Sequence, residues 1–265
     1  MRYALFMPTA PFRTLDDVVD GLAVLEARFR QQNDRWAVFL TLYGIVSGEI
    51  RAQVERRAFA DNDWVRRYAV AFADLYRVAL ERYDAGDLAA VPKAWRLAFD
   101  AARMGSALVV QDMLLGVNAH VNADLPYALT TVSIGPDRPA RYRDHSAVNA
   151  VLGSVTQRAT DRLAGLYAPG LTGMDDCAGE VDELISAFSL EIARESAWES
   201  AVALANASTP FERALVTRLI AARAAAMARL LRAPSRHPGV VEACRRLEQG
   251  TAWIALVGDA ARAPV

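Results

Sequence analysis

A short stretch near the middle of the chain, residues 111–126, combines an apolar helical pattern with side chains that can do chemistry. Its sequence, QDMLLGVNAHVNADLP, carries amide and acid side chains and one of only three histidines in the protein. A polar set this dense in an apolar helix costs free energy unless its members are hydrogen-bonded, paired or used. We therefore expect this helix to carry the functional site.

His120 and Asp124 are four residues apart, which places both side chains on one side of a helix, one turn from each other. At that spacing an imidazole and a carboxylate can form an acid–base pair or bind a common metal ion. We predict both as catalytic residues, with His120 as acid, base or ligand and Asp124 orienting or co-ligating it. A structural role, in which the carboxylate only orients the imidazole, is an equal alternative.

The polar side chains of this helix fall on two flanks of its apolar face, at about 100° per residue. One flank holds Gln111, Asn118 and Asn122, and the other holds Asp112, His120 and Asp124. We expect Asn118 and Asn122 to bind oxygen atoms of a substrate. Because the flanks diverge, they cannot easily face the same small pocket.

A second polar group, Asp144, His145 and Asn149, follows a loop rich in glycine and proline. Asp144 is well placed to cap the helix that starts there, which is the structural interpretation. If the loop folds back over the central helix, Asp144 and Asn149 would join the substrate-binding residues. His145 would then complete a metal set with His120 and Asp124, suited to zinc, iron or manganese. The sequence does not determine the cofactor, and a divalent metal is one candidate.

Helical periodicity runs through the chain, and strand-like alternation is almost absent. Helix-start signals stand at residues 14–17, 61–63 and 208–210. The pattern predicts an all-α protein, a multi-helix bundle that forms a single domain over residues 1–265. The stretch at 111–126 is apolar on several sides, which predicts a central, largely buried helix.

The charge balance, thirty basic against thirty-one acidic side chains, leaves a net charge of −1 and no basic excess for nucleic acid binding. No run of about eighteen apolar residues occurs, so we expect no membrane span. Cys177 and Cys244 form no CxxC pair, which fits a reduced compartment. Since the N-terminus shows no signal-peptide pattern, we expect a cytoplasmic protein.

Three groups of residues resemble a bacterial family called domain of unknown function 5995. They are TLY at 41–43 with SGEI at 47–50, LLGVNAHVNADL at 114–125, and Asp144 with Asn149. The NAHVNADL segment is the most specific part, and the resemblance covers most of the chain. The family name implies no activity. The resemblance therefore implies that Asn118, His120, Asn122 and Asp124 are important without assigning their roles, and it does not extend to His145.

Together these patterns predict a small-molecule enzyme that uses the His, Asp and Asn set of the central helix for acid–base chemistry, with or without a metal. Hydrolysis, elimination or cyclisation could run on such a set, for instance in specialised metabolism. The alternative is a non-catalytic binding or scaffold protein in which the same set is a hydrogen-bond network that fixes helix register. A small-molecule substrate is the expected partner, while substrate, reaction and oligomeric state are not determined by the sequence.

Overall fold

The computed structural model describes residues 10–105, 107–135, 137–167, 188–233 and Glu248. Helices dominate these residues and no strand occurs among them, so the predicted all-α class is confirmed. The two cysteines lie outside the described residues. The elements are α1 (Leu15–Gln31), α2 (Trp36–Glu55), α3 (Asn62–Asp84), α4 (Lys93–Met104), α5 (Val109–Asn118), a π-helix (Ala119–Asp124), α6 (Leu125–Thr131), α7 (Arg138–Tyr167), α8 (Leu190–Asn206) and α9 (Pro210–Leu231).

The helix-start signals predicted from the sequence are used as expected. At α1, the Asp17 N–H donates to Thr14 Oγ1 at 3.0 Å, and the Thr14 N–H donates to Asp17 Oδ2 at 2.9 Å. At α3, Asp61 Oδ1 accepts the Trp64 N–H at 2.8 Å, and Thr209 forms a second capping box at α9. Each cap satisfies backbone donors that have no partner inside the helix. These local contacts set where the long helices begin.

An aromatic cluster joins α2, α3 and α4. The ring of Trp95 lies 5.4 Å from Phe39, 5.1 Å from Tyr76 and 5.1 Å from Phe99, measured between centroids. All four side chains are buried. Aromatic side chains bury about 150–250 Å² each and favour the tilted and offset arrangements seen here. The cluster therefore forms a closely packed wall beside the central segment.

The segment from α5 through the π-helix to α6 runs between helices on several sides, since it contacts α2, α3, α4, α8 and α9. Every residue of Ala119–Asp124 is buried. The sequence left open whether the helix would end at Pro126, and the structure continues it to Thr131. In the part of the chain that the structure describes, no helix is both long and apolar enough to cross a membrane.

Candidate functional site

The π-helix holds three of the predicted site residues, His120, Asn122 and Asp124, in one widened turn. Its closing hydrogen bond runs from the Leu125 N–H to the His120 carbonyl, five residues back instead of four. Pro126 follows at once, and a proline ring crowds the carbonyl four residues before it, here that of Asn122. We assign the wider turn to this crowding. Such turns occur mostly singly within α-helices and are frequent at functional sites.

The structure brings His120 and Asp124 together. The Nδ1 atom of His120 lies 3.0 Å from Asp124 Oδ2, and the Trp95 indole N–H donates to the same oxygen at 2.7 Å. Because this oxygen already acts as an acceptor for the Trp95 N–H, we assign the imidazole proton to Nδ1. Burial lowers the pKa of His120 and raises that of Asp124, and their mutual hydrogen bond opposes both shifts. The imidazole is therefore neutral at pH 7.

The second ring nitrogen of His120, Nε2, is buried and has no hydrogen-bond partner among the described residues. Leaving a buried polar atom unpaired costs about 1–3 kcal/mol. Buried polar atoms in folded proteins are otherwise nearly always satisfied, so an exception needs an explanation. With the proton on Nδ1, Nε2 carries a lone pair that can accept a hydrogen bond or a proton.

Aromatic rings surround the His120 imidazole. Phe72 stacks on it with centroids 3.5 Å apart and planes 8° from parallel, and Tyr43 packs edge-on at 4.6 Å. Phe39, Tyr76 and Trp95 complete the set at centroid distances of 5.8, 6.3 and 5.9 Å. Helical spacing assigned these rings to the core, and no sequence signal marked Phe72, Tyr43 or Trp95 as neighbours of the histidine. Only the packing of α2, α3 and α4 gathers them there.

A cavity of about 410 Å³ lies among α1, α2, α3, α5, the π-helix, α7 and α8, and His120 is one of the residues that line it. Its volume is in the range of small-molecule sites, about 300–1,000 Å³. The described lining is mostly aliphatic and aromatic. Its polar side chains include Tyr43, Ser47, Tyr68, His120 and Arg194. A largely apolar cavity with a few polar groups is the form that most small-molecule sites take.

Asn118 and Asn122 lie on the opposite flank and face α9. The Asn118 amide donates to the Ala224 carbonyl at 3.0 Å, and the Asn122 amide donates to Asn118 Oδ1 at 3.0 Å. Gln111 donates to the Leu231 carbonyl in the same way. Neither asparagine is among the described residues that line the cavity. The structure therefore separates the two flanks, and it does not place Asn118 and Asn122 where they would meet a ligand beside His120.

Asp144 does not cap its own helix, because α7 begins at Arg138 and Asp144 lies within it. That interpretation is wrong. Its two carboxylate oxygens instead accept the backbone N–H groups of Ala60 and Asp61, each at 2.8 Å, just before α3. Residues far apart in sequence meet here, so helix-start patterns could not reveal the pairing. Neither Asp144 nor Asn149 is among the described residues that line the cavity.

His145 is bound through both ring nitrogens to Arg194. Nε2 donates to the Arg194 carbonyl at 3.2 Å, and Nδ1 accepts from the guanidinium at 3.4 Å. Burial and the neighbouring cation lower the pKa of His145 to about 3. The predicted metal set of His120, Asp124 and His145 is therefore corrected, since His145 is engaged elsewhere. No group of three or more His, Cys, Asp or Glu side chains in the described part of the chain is arranged to hold a metal.

The model of one protein family, a family of unknown function named DUF5995, matches residues 15–234. This range includes α1 to α9 and every described residue of the site. The resemblance seen in the sequence is thereby confirmed. No curated protein and no solved structure shows significant similarity to the chain. Any chemistry of this chain therefore depends on the residues of the site itself.

Proposed function

The chain belongs to the DUF5995 family of unknown function, and we propose that it is a small-molecule enzyme whose general base is His120. A mostly apolar substrate binds in the cavity, and Nε2 of His120 takes a proton from it and later returns one. A single observation carries this proposal: a buried imidazole nitrogen without a partner among the described residues belongs to a side chain that lines an apolar cavity.

Asp124 is the positioning residue for this base. Its Oδ2 atom accepts a hydrogen bond from the Nδ1–H of His120, which holds the imidazole in the tautomer whose Nε2 carries no proton. The Trp95 N–H in turn holds the carboxylate. When Nε2 takes up a proton, the carboxylate stabilises the imidazolium, and the stacked face of Phe72 adds a cation–π attraction.

The character of the cavity favours some reactions over others. Its mainly apolar walls disfavour bound water, which a hydrolysis would need as a reactant. Electrostatic interactions act strongly in such surroundings, so one base and one carboxylate can support transfer of a proton from carbon or oxygen. We therefore favour elimination or cyclisation of an apolar compound over hydrolysis.

A binding protein without catalysis is the second candidate. The observation that favours it is the flank facing α9, where Asn118 and Asn122 are satisfied by each other and by Ala224. Such a network fixes helix register without any chemistry. In this case the cavity holds an apolar molecule unchanged, and His120 Nε2 accepts a hydrogen bond from it.

Incubation in D₂O separates the two candidates. The purified protein is mixed with an apolar metabolite extract of cells that carry the gene, and mass spectrometry records compounds that are consumed, formed or labelled with deuterium. We expect the wild type to change a small set of compounds and His120→Gln to change none of them. Glutamine can still donate to Asp124, but its amide has no basic nitrogen.

Tyr142→Phe is the matched control. Tyr142 is 37% exposed and bonds Glu195 on the surface, so its loss leaves the cavity intact. Equal compound changes by the wild type and His120→Gln would contradict a role for this base. Binding of extract compounds without any change or label would support the second candidate instead.

A further inference from the structure

Arg194 differs from the other buried arginines in the described part of the chain. Arg35 pairs with Asp112, and Arg77 pairs with Asp74. Arg194 is 3% exposed and forms no ion pair with any described residue. It also lines the cavity, which Arg35 and Arg77 do not.

The guanidinium of Arg194 is held by neutral acceptors. Its Nε donates to Asn149 Oδ1 at 2.6 Å, and Nη1 donates to the Tyr68 hydroxyl at 3.2 Å. Its Nη2 reaches the carbonyl and the Nδ1 atom of His145. An arginine has five N–H donors, so these four contacts leave one on Nη1. The cation is thus oriented firmly while its charge is not balanced by any described carboxylate.

A buried cation without a counter-ion is costly, because it has lost its hydration and gained no opposite charge. Arginine cannot remove the cost by losing its proton. No described residue supplies an opposite charge to Arg194, and an anion bound in the cavity would supply it. We infer that the cavity binds an amphipathic monocarboxylate, with its carboxylate on Arg194 and its apolar body packed along the cavity wall. This inference rests on the proposed function and names its substrate class.

The charge and donors at the site favour a carboxylate over a phosphate. Arg194 is the only lysine or arginine among the described residues that line the cavity. A phosphate monoester carries about −1.5 to −2 charge at pH 7 and three acceptor oxygens, more than one arginine with one free donor can balance. A single carboxylate matches the single cation.

The position of Arg194 relative to His120 locates the reacting part of the substrate. Tyr68, which bonds Arg194, and Phe72, which stacks on His120, lie one turn apart on α3. One helical turn rises about 5.4 Å. If the carboxylate of the ligand is bound to Arg194, His120 therefore lies beside the apolar body of that ligand, a few bonds from its carboxyl group.

Calorimetric titration of the wild-type protein tests the inference with three ligands of equal chain length. Decanoate, decanol and decylamine share one apolar tail, and they carry a negative, a neutral and a positive head group at neutral pH. All are used below the concentration at which they form micelles. We expect decanoate to bind at least about tenfold more tightly than decanol, as a charge-assisted hydrogen bond would give, and decylamine to bind least.

Variants assign the preference to Arg194. In Arg194→Met the ratio of decanoate to decanol affinity falls to about one, whereas Arg194→Lys retains part of it. Ser47→Ala, which removes a neutral hydroxyl from the same cavity, leaves the ratio unchanged. Circular dichroism checks that each variant is folded. If Arg194→Met does not fold, the wild-type series and Arg194→Lys still decide.

The outcomes separate this inference from the proposed function. Equal binding of decanol and decanoate to the wild type overturns the monocarboxylate inference, while an apolar ligand site remains for the proposed enzyme. Binding of decanoate with an unchanged ratio in Arg194→Met places the carboxylate elsewhere and also overturns the inference. Failure of all three ligands to bind contradicts both the inference and the apolar substrate of the proposed function.

Discussion

His120 and His145 lie in the same helical interior, with 3% and 1% of their surface exposed, and both rings pack against aromatic side chains. Both nitrogens of His145 are hydrogen-bonded to Arg194. His120 bonds Asp124 through Nδ1, and its Nε2 has no described partner. Burial is common to the two histidines, so it does not separate a structural role from a chemical one. The two roles are distinguished by whether the second ring nitrogen has a hydrogen-bond partner.

The charged side chains beside the two histidines affect their pKa values in opposite directions. Burial is the largest cause of the lowered pKa of both histidines. The cation of Arg194 lowers the pKa of His145 further, whereas the carboxylate of Asp124 acts against the lowering at His120. His145 is therefore held neutral. A proton delivered to His120 by a substrate would meet a carboxylate that stabilises it.

The largest expected effect is a difference in the free energy of unfolding between alanine variants of the two histidines. His145→Ala should lower the free energy of unfolding by about 3–5 kcal/mol, because it removes the Nδ1 acceptor of a buried cation, leaves the Arg194 carbonyl without its donor and opens a cavity. His120→Ala should cost at least about 1 kcal/mol less, since Asp124 can take up a proton and shed its charge whereas Arg194 cannot. Urea unfolding at pH 7 measures both. An equal or greater loss in His120→Ala would break the comparison.

A smaller effect concerns the wall beside His120. A Cβ added at Gly116 would lie 2.5 Å from Phe39 Cδ2, so Gly116→Ala must displace a ring that packs on the imidazole. We expect a loss of about 1–3 kcal/mol in unfolding free energy. Gly44→Ala is the matched control, with no neighbour within 4 Å, and should stabilise α2 by up to about 1 kcal/mol. If Gly116→Ala and Gly44→Ala changed the free energy of unfolding by similar amounts, the ring of Phe39 would be able to move aside at little cost.

The pH dependence of stability tests the state of His145. Its folded pKa of about 3 lies below the ordinary value of 6.5, so the unfolded chain binds the proton first. Stability from this group is fully present above pH 6.5 and is lost as the pH falls towards 3. Relative to His145→Gln, the wild type should lose up to about 1.4 kcal/mol per pH unit in that window. A constant difference between pH 7 and pH 4 would contradict the buried, neutral His145.

The smallest expected effect is a difference in tautomer between the two histidines, which can be measured without any change in the stability of the protein. The hydrogen bonds assign the proton to Nε2 in His145 and to Nδ1 in His120, so the two rings should be opposite tautomers. Long-range ¹H–¹⁵N NMR distinguishes the tautomers, and spectra of His120→Gln and His145→Gln assign the signals. If both rings carried the proton on Nε2, His120 Nε2 could not act as the base.

Much of the helical framework follows from local patterns in the chain. Thr14 with Asp17, Asp61 and Thr209 begin their helices as predicted, because a cap joins residues only two or three positions apart. The pairing of His120 with Asp124 has the same origin, since a spacing of four survives the widened turn. The widened turn itself was not predicted, although Pro126 was its one visible signal.

The sequence did not predict the contacts that Asp144, His145 and Asn118 make across helices. Asp144 binds backbone before α3, and His145 binds Arg194, over separations of 83 and 49 residues. Asn118 reaches Ala224 on α9. Periodicity tells which side of a helix a residue occupies, but it does not tell which helix lies opposite. The roles expected for these residues depended on that neighbour.

The chain alone established the helices, the two diverging flanks of the central segment and the acid–imidazole pair, because each depends on backbone geometry within one or two turns. Tertiary packing decided which buried groups are satisfied. It paired both ring nitrogens of His145 with Arg194, left Nε2 of His120 without a described partner in a side chain that lines an apolar cavity, and put Arg194 on the same cavity without a described counter-ion. Hydrogen-bond satisfaction is a property of whole neighbourhoods, and these neighbourhoods exist only after the helices have packed.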